Sequence, residues 1–313
     1  QFHTIQRHNK KRLQIFHKKV SRVFESAEEI PFDDTSKFIL MCDCHRGNGS
    51  WADDFQRNRN LYVAALNHYY RRKFTYIELG DGDELWENKD LSAIINVHRD
   101  VFQLLAKFYR QGRLYFIFGN HDMDKRNQEF VKNNLFRYFD EREKAYVTLF
   151  EGIQCHEALV LKHRVTGDKI LLTHGHQVDF FNYTMWKTAR FLVRYLWRPL
   201  NFFGVNDPTS TAKNYKRKEK VEKSLIEWVK NEKHMLISGH THRPMFPEPG
   251  DPPYFNGGSS IHPQDITGIE IAEGCITLVK WNVQVNSYGR LFVKRDVIAG
   301  PVRLNKYFVR NNL

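Results

Sequence analysis

Cysteine is scarce in this sequence, with 4 among 313 residues. So few cysteines in a chain of this length cannot form a disulfide framework, and a reducing compartment is the simpler expectation. No uninterrupted apolar run approaches the roughly 20 residues that a membrane-spanning helix needs. Acidic residues are also in deficit, 36 against 48 Lys and Arg, which gives a formal net charge of +12. This balance favours anionic partners such as phosphorylated metabolites, nucleic acid or a lipid surface, without choosing among them.

The N-terminal segment is basic and helical in its pattern. It is not followed by an apolar signal core or a small-residue cleavage site, so we expect a cytoplasmic protein, with peripheral attachment to a membrane as an alternative. Residues 1–34 predict a basic helical extension that ends in a turn. One helix face would carry Ile5, Leu13, Phe16, Val20 and Val23. That face either packs on the domain or lies on anionic lipid.

Short apolar runs predict buried strands at five places in the chain. These runs are residues 38–42, 75–79, 114–118, 169–173 and 235–238. In most of these runs polar and apolar residues do not alternate, which is typical of strands in sheets that helices cover on both faces. Helical stretches lie between the early runs, at 58–73 and 91–110, whereas 266–271, 275–281 and 291–294 predict further strands. The pattern predicts an α/β fold that is mainly β towards its C-terminal end.

Polar side chains follow each of the five runs directly. The set comprises Asp43, His45, Asp81, Glu84, Asn120, His121, Asp122, His174, His176, His240 and His242. Ligands of α/β sheets bind beyond the carboxyl ends of strands, so we expect these side chains at one rim. Carboxylate, imidazole and amide donors without a necessary thiolate suit Mn, Fe, Co or Zn. Two such ions about 3.5–4 Å apart can activate a water and support an in-line displacement.

Each polar block has a simpler explanation when it is taken alone. The 119–122 block is compatible with an ordinary turn, and an isolated histidine is more often hydrogen-bonded in a core than bound to a metal. Five such blocks in this order, each directly after a predicted strand, favour a common site instead.

The order of the blocks resembles the calcineurin-like metallophosphoesterase family, whose pattern is D-x-H, G-D-x-x-[D/E], G-N-H-[D/E], a lone His and G-H-x-H. The five blocks span residues 43–242, and the resemblance extends over about 37–282. It implies one domain over 1–313 with a four-layer αββα sandwich. It also implies hydrolysis of a phosphate ester or pyrophosphate by metal-bound hydroxide, with two divalent ions, of which we favour Mn.

The resemblance also assigns roles to individual residues. It implies that Asp43, His45, Asp81 and His242 hold one ion, and that Asp81, Asn120, His174 and His240 hold the other. His121 would be the general acid for the leaving group, oriented by Glu84 or by the competing Asp122. We expect His176 beside the ligands and within reach of the substrate. Arg46 either contacts the substrate phosphate or lies at the surface.

A second resemblance concerns the substrate. Residues 80–86 follow G-D-x-x-E-x-W, similar to the branch that contains UDP-diacylglucosamine hydrolases, although that branch often has Arg where this chain has His121. Residues 178–231 predict a lid-like helical insertion rich in aromatic residues, whose Arg190 and Arg194 would bind a phosphate or a lipid head group. Alternatively, the insertion packs on the sandwich and its cations are solvated.

Three functions therefore remain open. The first is a phosphoesterase or phosphatase that acts on a small-molecule, nucleotide or lipid-linked phosphate. The second is a nuclease that uses the same metals, favoured only by the net charge of +12. The third is a metal-free scaffold of the same fold, which the complete ligand set disfavours.

Overall fold

All five apolar runs form strands, because each is a short segment that can be buried on both faces of a sheet. The computed structural model describes residues 2–197 and 214–308. The strands are β1 Glu28–Phe32, β2 Phe38–Met41, β3 Thr75–Leu79, β4 Leu114–Ile117, β5 Arg137–Asp140, β6 Ala145–Thr148, β7 Cys155–His156, β8 Ala158–His163, β9 Lys169–Thr173, β10 Met235–Ser238, β11 Tyr254–Asn256, β12 Asp265–Ala272, β13 Cys275–Val285 and β14 Leu291–Arg303.

Two large mixed sheets organise these strands. One has the order β14-β13-β12-β2-β3-β4-β7, in which β2, β3, β4 and β7 run parallel and β12 to β14 antiparallel. The other has the order β1-β8-β9-β10-β11, with β9, β10 and β11 parallel. The hairpin β5–β6 is a separate two-stranded sheet. Because parallel neighbours end at the same edge, the loops after β2, β3 and β4 are brought together, as are those after β9 and β10.

Helices cover the outer faces of both sheets. They are α1 Phe2–Ser26, α2 Arg59–Arg71, α3 Leu91–Val97, α4 Arg99–Arg110, α5 Gln128–Leu135, α6 Phe180–Tyr183, α7 Trp186–Leu192 and α8 Tyr215–Glu232, and a π-helical turn, Val193–Trp197, continues α7. The predicted helix 91–110 is divided in two at His98, which is buried and lies 2.8 Å from Asp53 Oδ2.

Three clusters of apolar side chains each join two neighbouring layers of the fold. The central cluster lies between the sheets and includes Leu40, Ile77, Leu172 and Ile237. A second cluster joins α2 and α4 to the seven-stranded sheet, and a third joins α1 and α8 to the five-stranded sheet. The order of layers is helix, sheet, sheet, helix. The αββα sandwich that the resemblance implies is confirmed.

The N-terminal extension differs from the prediction. The helix ends at Ser26, and residues 28–32 form strand β1, paired parallel with β8, where we expected a turn. Phe16, Val20 and Val23 are buried on the domain, in the cluster that contains Trp228. This part of the helix face is therefore covered by protein, not lipid. The side chains of Ile5 and Leu13 lie outside the described residues.

The predicted insertion 178–231 also differs from expectation. Its second half, α8, buries Val221, Leu225 and Trp228 and forms part of the outer helical layer. Residues 180–197 form α6, α7 and the π-helical turn, and 198–213 lie outside the described residues. Among the helices of the described part, none has the length and apolar character needed to cross a membrane.

Candidate metal centre

The loops after β2, β3 and β10 adopt unusual backbone conformations. Positive φ angles occur at Asp43 (50°), His45 (47°), Asp81 (51°), His240 (69°) and His242 (54°). This region is uncommon for residues other than glycine and costs of order 1–3 kcal/mol each time, so it persists only where the surrounding structure imposes it. Five of the residues predicted to be metal ligands adopt this conformation. Such concentration of backbone strain indicates a functional site.

One group of candidate ligands comprises Asp43, His45 and His242. Asp43 Oδ1 lies 3.0 Å from Nε2 of His242 and 3.8 Å from Nε2 of His45. The two Nε2 atoms are 3.3 Å apart. Two nitrogen ligands about 2.0–2.1 Å from one tetrahedral ion are roughly 3.3 Å apart, so this spacing suits a shared cation.

A second group comprises Asp81, His174 and His240. Nδ1 of His174 donates a hydrogen bond to the carbonyl oxygen of Leu79 at 2.8 Å, so Nε2 is the ring atom that faces the other members of the group. That Nε2 is 3.1 Å from Asp81 Oδ2. The same oxygen lies 3.7 Å from Nε2 of His45, so Asp81 lies between the two groups.

Buried atoms without partners show that these residues fit a cation. Asn120 is 1% exposed, and its Oδ1 has no hydrogen-bond partner among the described residues. Nε2 of the buried His240 also lacks a hydrogen bond there, although Asp179 Oδ2 is 3.5 Å away. An uncompensated buried polar atom costs about 1–3 kcal/mol. Coordination of a divalent ion would satisfy both atoms, and oxygen and imidazole donors suit such an ion.

The electrostatics keep the two ligand carboxylates ionised. Burial alone would raise the pKa of Asp43, but His242 and His174 hold it well below its usual value. Burial likewise opposes ionisation of Asp81, whose pKa is nevertheless held well below the usual value by His174 and His121. Burial lowers the pKa of His242, whereas at His174 burial is outweighed by the carboxylates of Asp81 and Asp43, which raise the pKa to about 9. Binding of a cation would therefore release a proton from His174. Carboxylate and neutral imidazole are the forms that bind metals.

His121 is oriented by Glu84. Nδ1 of His121 lies 2.9 Å from Glu84 Oε1, and Nδ1 of His45 lies 2.8 Å from Glu84 Oε2. The His121 ring also stacks on Trp86, with centroids 4.2 Å apart and an interplanar angle of 20°. Burial opposes ionisation of Glu84, yet His121 and His45 lower its pKa to about 2. A single carboxylate therefore fixes one ligand histidine and the candidate general acid.

Asp122, the competing candidate, has a different place. Its carboxylate accepts hydrogen bonds from the backbone N–H of Gly119 at 2.7 Å and of Gly82 at 3.1 Å, and it pairs with Lys125 at 2.7 Å. It ties the loop after β4 to the loop after β3. The expectation that Asp122 acts on His121 is thus corrected, because Glu84 makes that contact.

Arg46 does not face the site. It is fully buried, with Nε 2.7 Å from Asp83 and Nη1 and Nη2 2.8 and 2.9 Å from the Glu78 carboxylate. Lys125 pairs with the same Asp83 at 2.8 Å. The two expectations for Arg46, a phosphate contact or a surface position, are both corrected. Its side chain belongs to a buried charge network behind the ligand loops.

Arg190 and Arg194 are also engaged within the chain. Nη1 of Arg190 donates to both Asp124 carboxylate oxygens, at 3.0 and 2.7 Å. Arg194 donates to the carbonyl oxygens of Trp86 at 2.8 Å and Leu85 at 2.7 Å. Arg190 thus joins α7 to the loop after β4, and Arg194 joins the π-helical turn to the loop that carries Glu84. The two arginines are therefore not simply solvated, and their binding of a phosphate or a lipid head group stays a prediction.

His176 lies next to two of the candidate ligands. Its ring centroid is 5.4 Å from that of His174 and 6.5 Å from that of His240. It is fully buried, and burial lowers its pKa well below the usual value. It is therefore a neutral histidine beside the second ligand group.

Sequence reasoning missed the residues behind the site. No local pattern marks Lys125 and Glu78 as partners of Arg46 and the ligand loops, since their contacts join distant parts of the chain. The stacking of Trp86 on His121 was equally absent from the sequence argument, although its position two residues after Glu84 could have indicated that it is close to the site.

Comparison with known proteins supports the geometry at the level of the family. The family model described as calcineurin-like phosphoesterase matches residues 36–244 of this chain. That interval contains every candidate metal ligand. A search of curated proteins gives no significant match.

Proposed function

The chain belongs to the calcineurin-like phosphoesterase family, and on that basis we propose that it hydrolyses a phosphate ester or a pyrophosphate with two divalent cations. Membership implies phosphoester hydrolysis in general. The single observation that carries the two-cation proposal is the position of Asp81 Oδ2, which lies 3.1 Å from His174 and 3.7 Å from His45. One carboxylate oxygen thereby faces both ligand groups, as a bridging ligand would.

We assign four residues to each cation, with Asp81 common to both. Asp43, His45, Asp81 and His242 would hold the first, and Asp81, Asn120, His174 and His240 the second. Such cations polarise a phosphoryl group and lower the pKa of a water molecule, and Mn is our preferred metal. The other oxygen of Asp81 accepts a hydrogen bond from the backbone N–H of His121 at 2.8 Å, and this contact fixes the orientation of the carboxylate.

His121 is our candidate for the proton donor to the leaving group. Glu84 engages its Nδ1, so Nε2 is the ring atom left to face a substrate. Trp86 covers one ring face and limits its rotation. Positioned acid–base catalysis of this kind contributes about 10²- to 10⁴-fold to a rate. His121 also lies near His45 and Asp81, where it could itself bind a cation. An experiment therefore has to distinguish a metal ligand from a proton donor at this position.

Two variants make that distinction. His121→Ala should lower turnover of an aryl phosphate by about 10²-fold or more and leave the metal content near that of the wild type. Asp81→Ala should lose metal as well as turnover. His163→Ala is the matched control, because His163 lies at the end of β8 away from the ligand loops. Full activity of both site variants, or no bound transition metal after loading, would refute the proposal.

The substrate we favour carries an apolar or aromatic portion. Trp86, Ala189 and Val193 form a cluster with Trp186 and Trp197 beside His121. The same segment exposes large apolar side chains, namely Met185, Phe191, Tyr195 and Leu196. These features support a lid over a lipid-linked or nucleotide phosphate, as in UDP-diacylglucosamine, and contact with an anionic membrane.

A panel assay with added Mn tests the substrate class. It compares an aryl phosphate, a bis-aryl phosphate, UDP-diacylglucosamine and single-stranded nucleic acid. Preference for the lipid-linked substrate, lost when Phe191 and Tyr195 are replaced by Ser, would support the lid. Steeply salt-dependent cleavage of nucleic acid would favour the nuclease, which the net charge of +12 supports. Sedimentation with anionic liposomes tests the membrane contact separately.

A further inference from the structure

Strand β14 ends the seven-stranded sheet and pairs with β13 alone among the described residues. Within the described part of the chain, its outer edge therefore offers backbone N–H and C=O groups for pairing. Natural sheets usually protect such edges by bulges, charges or covering segments. Here apolar side chains remain exposed along the edge: Leu291 73%, Phe292 42%, Val293 38%, Val297 47% and Ile298 47%. An exposed apolar edge of this length indicates an interaction surface.

The sequence of this edge is self-complementary about Arg295. In an antiparallel pair of two identical strands centred on Arg295, Lys294 of each copy lies opposite Asp296 of the other. Val293 likewise lies opposite Val297. Opposite charges and β-branched pairs that face each other across strands contribute roughly 0.2–1 kcal/mol each. A two-fold axis through the pair of strands makes each favourable contact occur twice. Interfaces between two identical chains are self-complementary in this way.

The central residue does not oppose this pairing. Arg295 would lie opposite Arg295 of the second copy, but its guanidinium is bound to the Glu270 carboxylate of its own chain, at 2.8 and 2.5 Å. Lys294 and Asp296 contact each other at 2.8 Å and are 46% and 29% exposed, so both remain accessible to a second copy.

The β14–β13 register limits the length of the pairing. Val297 pairs with Val279 and Ala299 with Leu278, so Ile298 is an extra residue in a bulge. Up to Val297 the strand is regular, and residues 293–297 form a symmetric stretch with Arg295 at its centre. Bulges of this kind bend a strand and end regular pairing.

We propose that a second copy of this chain docks on β14, so that two seven-stranded sheets join through antiparallel β14–β14 pairing. The charge pattern favours this partner over an unrelated strand, because an unrelated strand would need an acidic residue opposite Lys294 and a basic residue opposite Asp296. The short pairing predicts a dimer that dissociates on dilution. It is independent of the metal site, whose ligands lie outside β14.

Charge reversal provides the test. Analytical ultracentrifugation over a broad concentration series should show the wild type in monomer–dimer equilibrium. Lys294→Asp or Asp296→Lys alone places like charges opposite each other at two equivalent positions and should weaken association by about tenfold or more. The double variant Lys294→Asp/Asp296→Lys should restore it. Circular dichroism and the Mn-dependent activity of each variant check that the fold is retained.

A second pair of variants tests the apolar part of the edge. Val297→Lys should weaken association, whereas Val165→Lys, which places the same charge at an 84% exposed position in the turn between β8 and β9, should not. A wild type that stays monomeric at all concentrations would overturn the proposal. The same holds if the single charge reversals associate as well as the wild type, or if the double variant fails to recover.

Discussion

Glu84 lies 2.8 Å from Nδ1 of His121 and at the same distance from Nδ1 of His45. One carboxylate thus connects a candidate metal ligand with the candidate proton donor. The contact joins residues 37 positions apart in the chain, and it decides between Glu84 and Asp122 as the orienting group. Several consequences of the arrangement can be measured.

Glu84→Gln should separate the two functions of this carboxylate. Loss of the His45 contact should weaken Mn binding by about 10–100-fold, as is typical for groups that support a ligand. At saturating Mn, kcat should remain about 10²-fold below that of the wild type, because His121 is no longer held for proton transfer. Titration of activity against Mn measures both effects. Glu141→Gln, at a 67% exposed position, is the control. Full recovery at high Mn would contradict the role assigned to His121.

The buried charge network predicts a stability effect that is separate from activity. Lys125 is 1% exposed and pairs with Asp122 and Asp83 at 2.7 and 2.8 Å. Lys125→Met would leave buried carboxylates without this partner and should lower the free energy of unfolding by about 3–5 kcal/mol. Urea denaturation of the metal-free protein measures this change. Lys144→Met, at a 73% exposed side chain, should change it by less than about 0.5 kcal/mol. Equal stability of the two variants would disprove the network's contribution.

Gly119 permits a close approach in the metal centre. A Cβ atom there would lie 2.1 Å from Asp81 Oδ1, so Gly119→Ala must displace the carboxylate that we assign to both cations. We expect metal stoichiometry and turnover to fall together, measured by elemental analysis and aryl phosphate hydrolysis. In contrast, the Cβ atom that Gly112→Ala adds would have no other atom within 4 Å. It should cost about 1–2 kcal/mol of stability through its positive φ and leave the metal content unchanged. Normal metal binding by Gly119→Ala would argue against the assigned position of Asp81.

Arg194 should anchor the helical segment 186–197. Its guanidinium donates to the carbonyl oxygens of Trp86 and Leu85, and hydrogen bonds to charged groups contribute about 1.5–3 kcal/mol. Arg194→Ala should therefore speed amide hydrogen exchange in this segment by about tenfold or more, as mass spectrometry would show. Lys187→Ala, on the exposed side of the same helix, should not. Unchanged exchange in Arg194→Ala would mean that other contacts hold the segment.

The sequence by itself determined the five strands that precede the candidate ligands and the order of those residues along the chain. Apolar runs such as 75–79 and 235–238 have the length of buried strands, and the polar residues that follow them are local features of the chain. Strands β1, β5, β6, β7 and β8 were not predicted. Residues 28–32 of β1, for example, carry two glutamates and a proline and form a strand only beside β8. Likewise, nothing local distinguishes α8 as part of the helical layer from the insertion that precedes it.

Only the tertiary structure decided what the charged side chains contact. Arg46, Arg190 and Arg194 have the chemistry to bind phosphate, yet each is engaged by groups that lie at least 32 positions away in the chain. A side chain's residue type sets which interactions it can make, whereas packing sets its burial and its neighbours. Since desolvation and pairing depend on those neighbours, the role of each arginine and the choice of Glu84 over Asp122 follow from the folded chain alone.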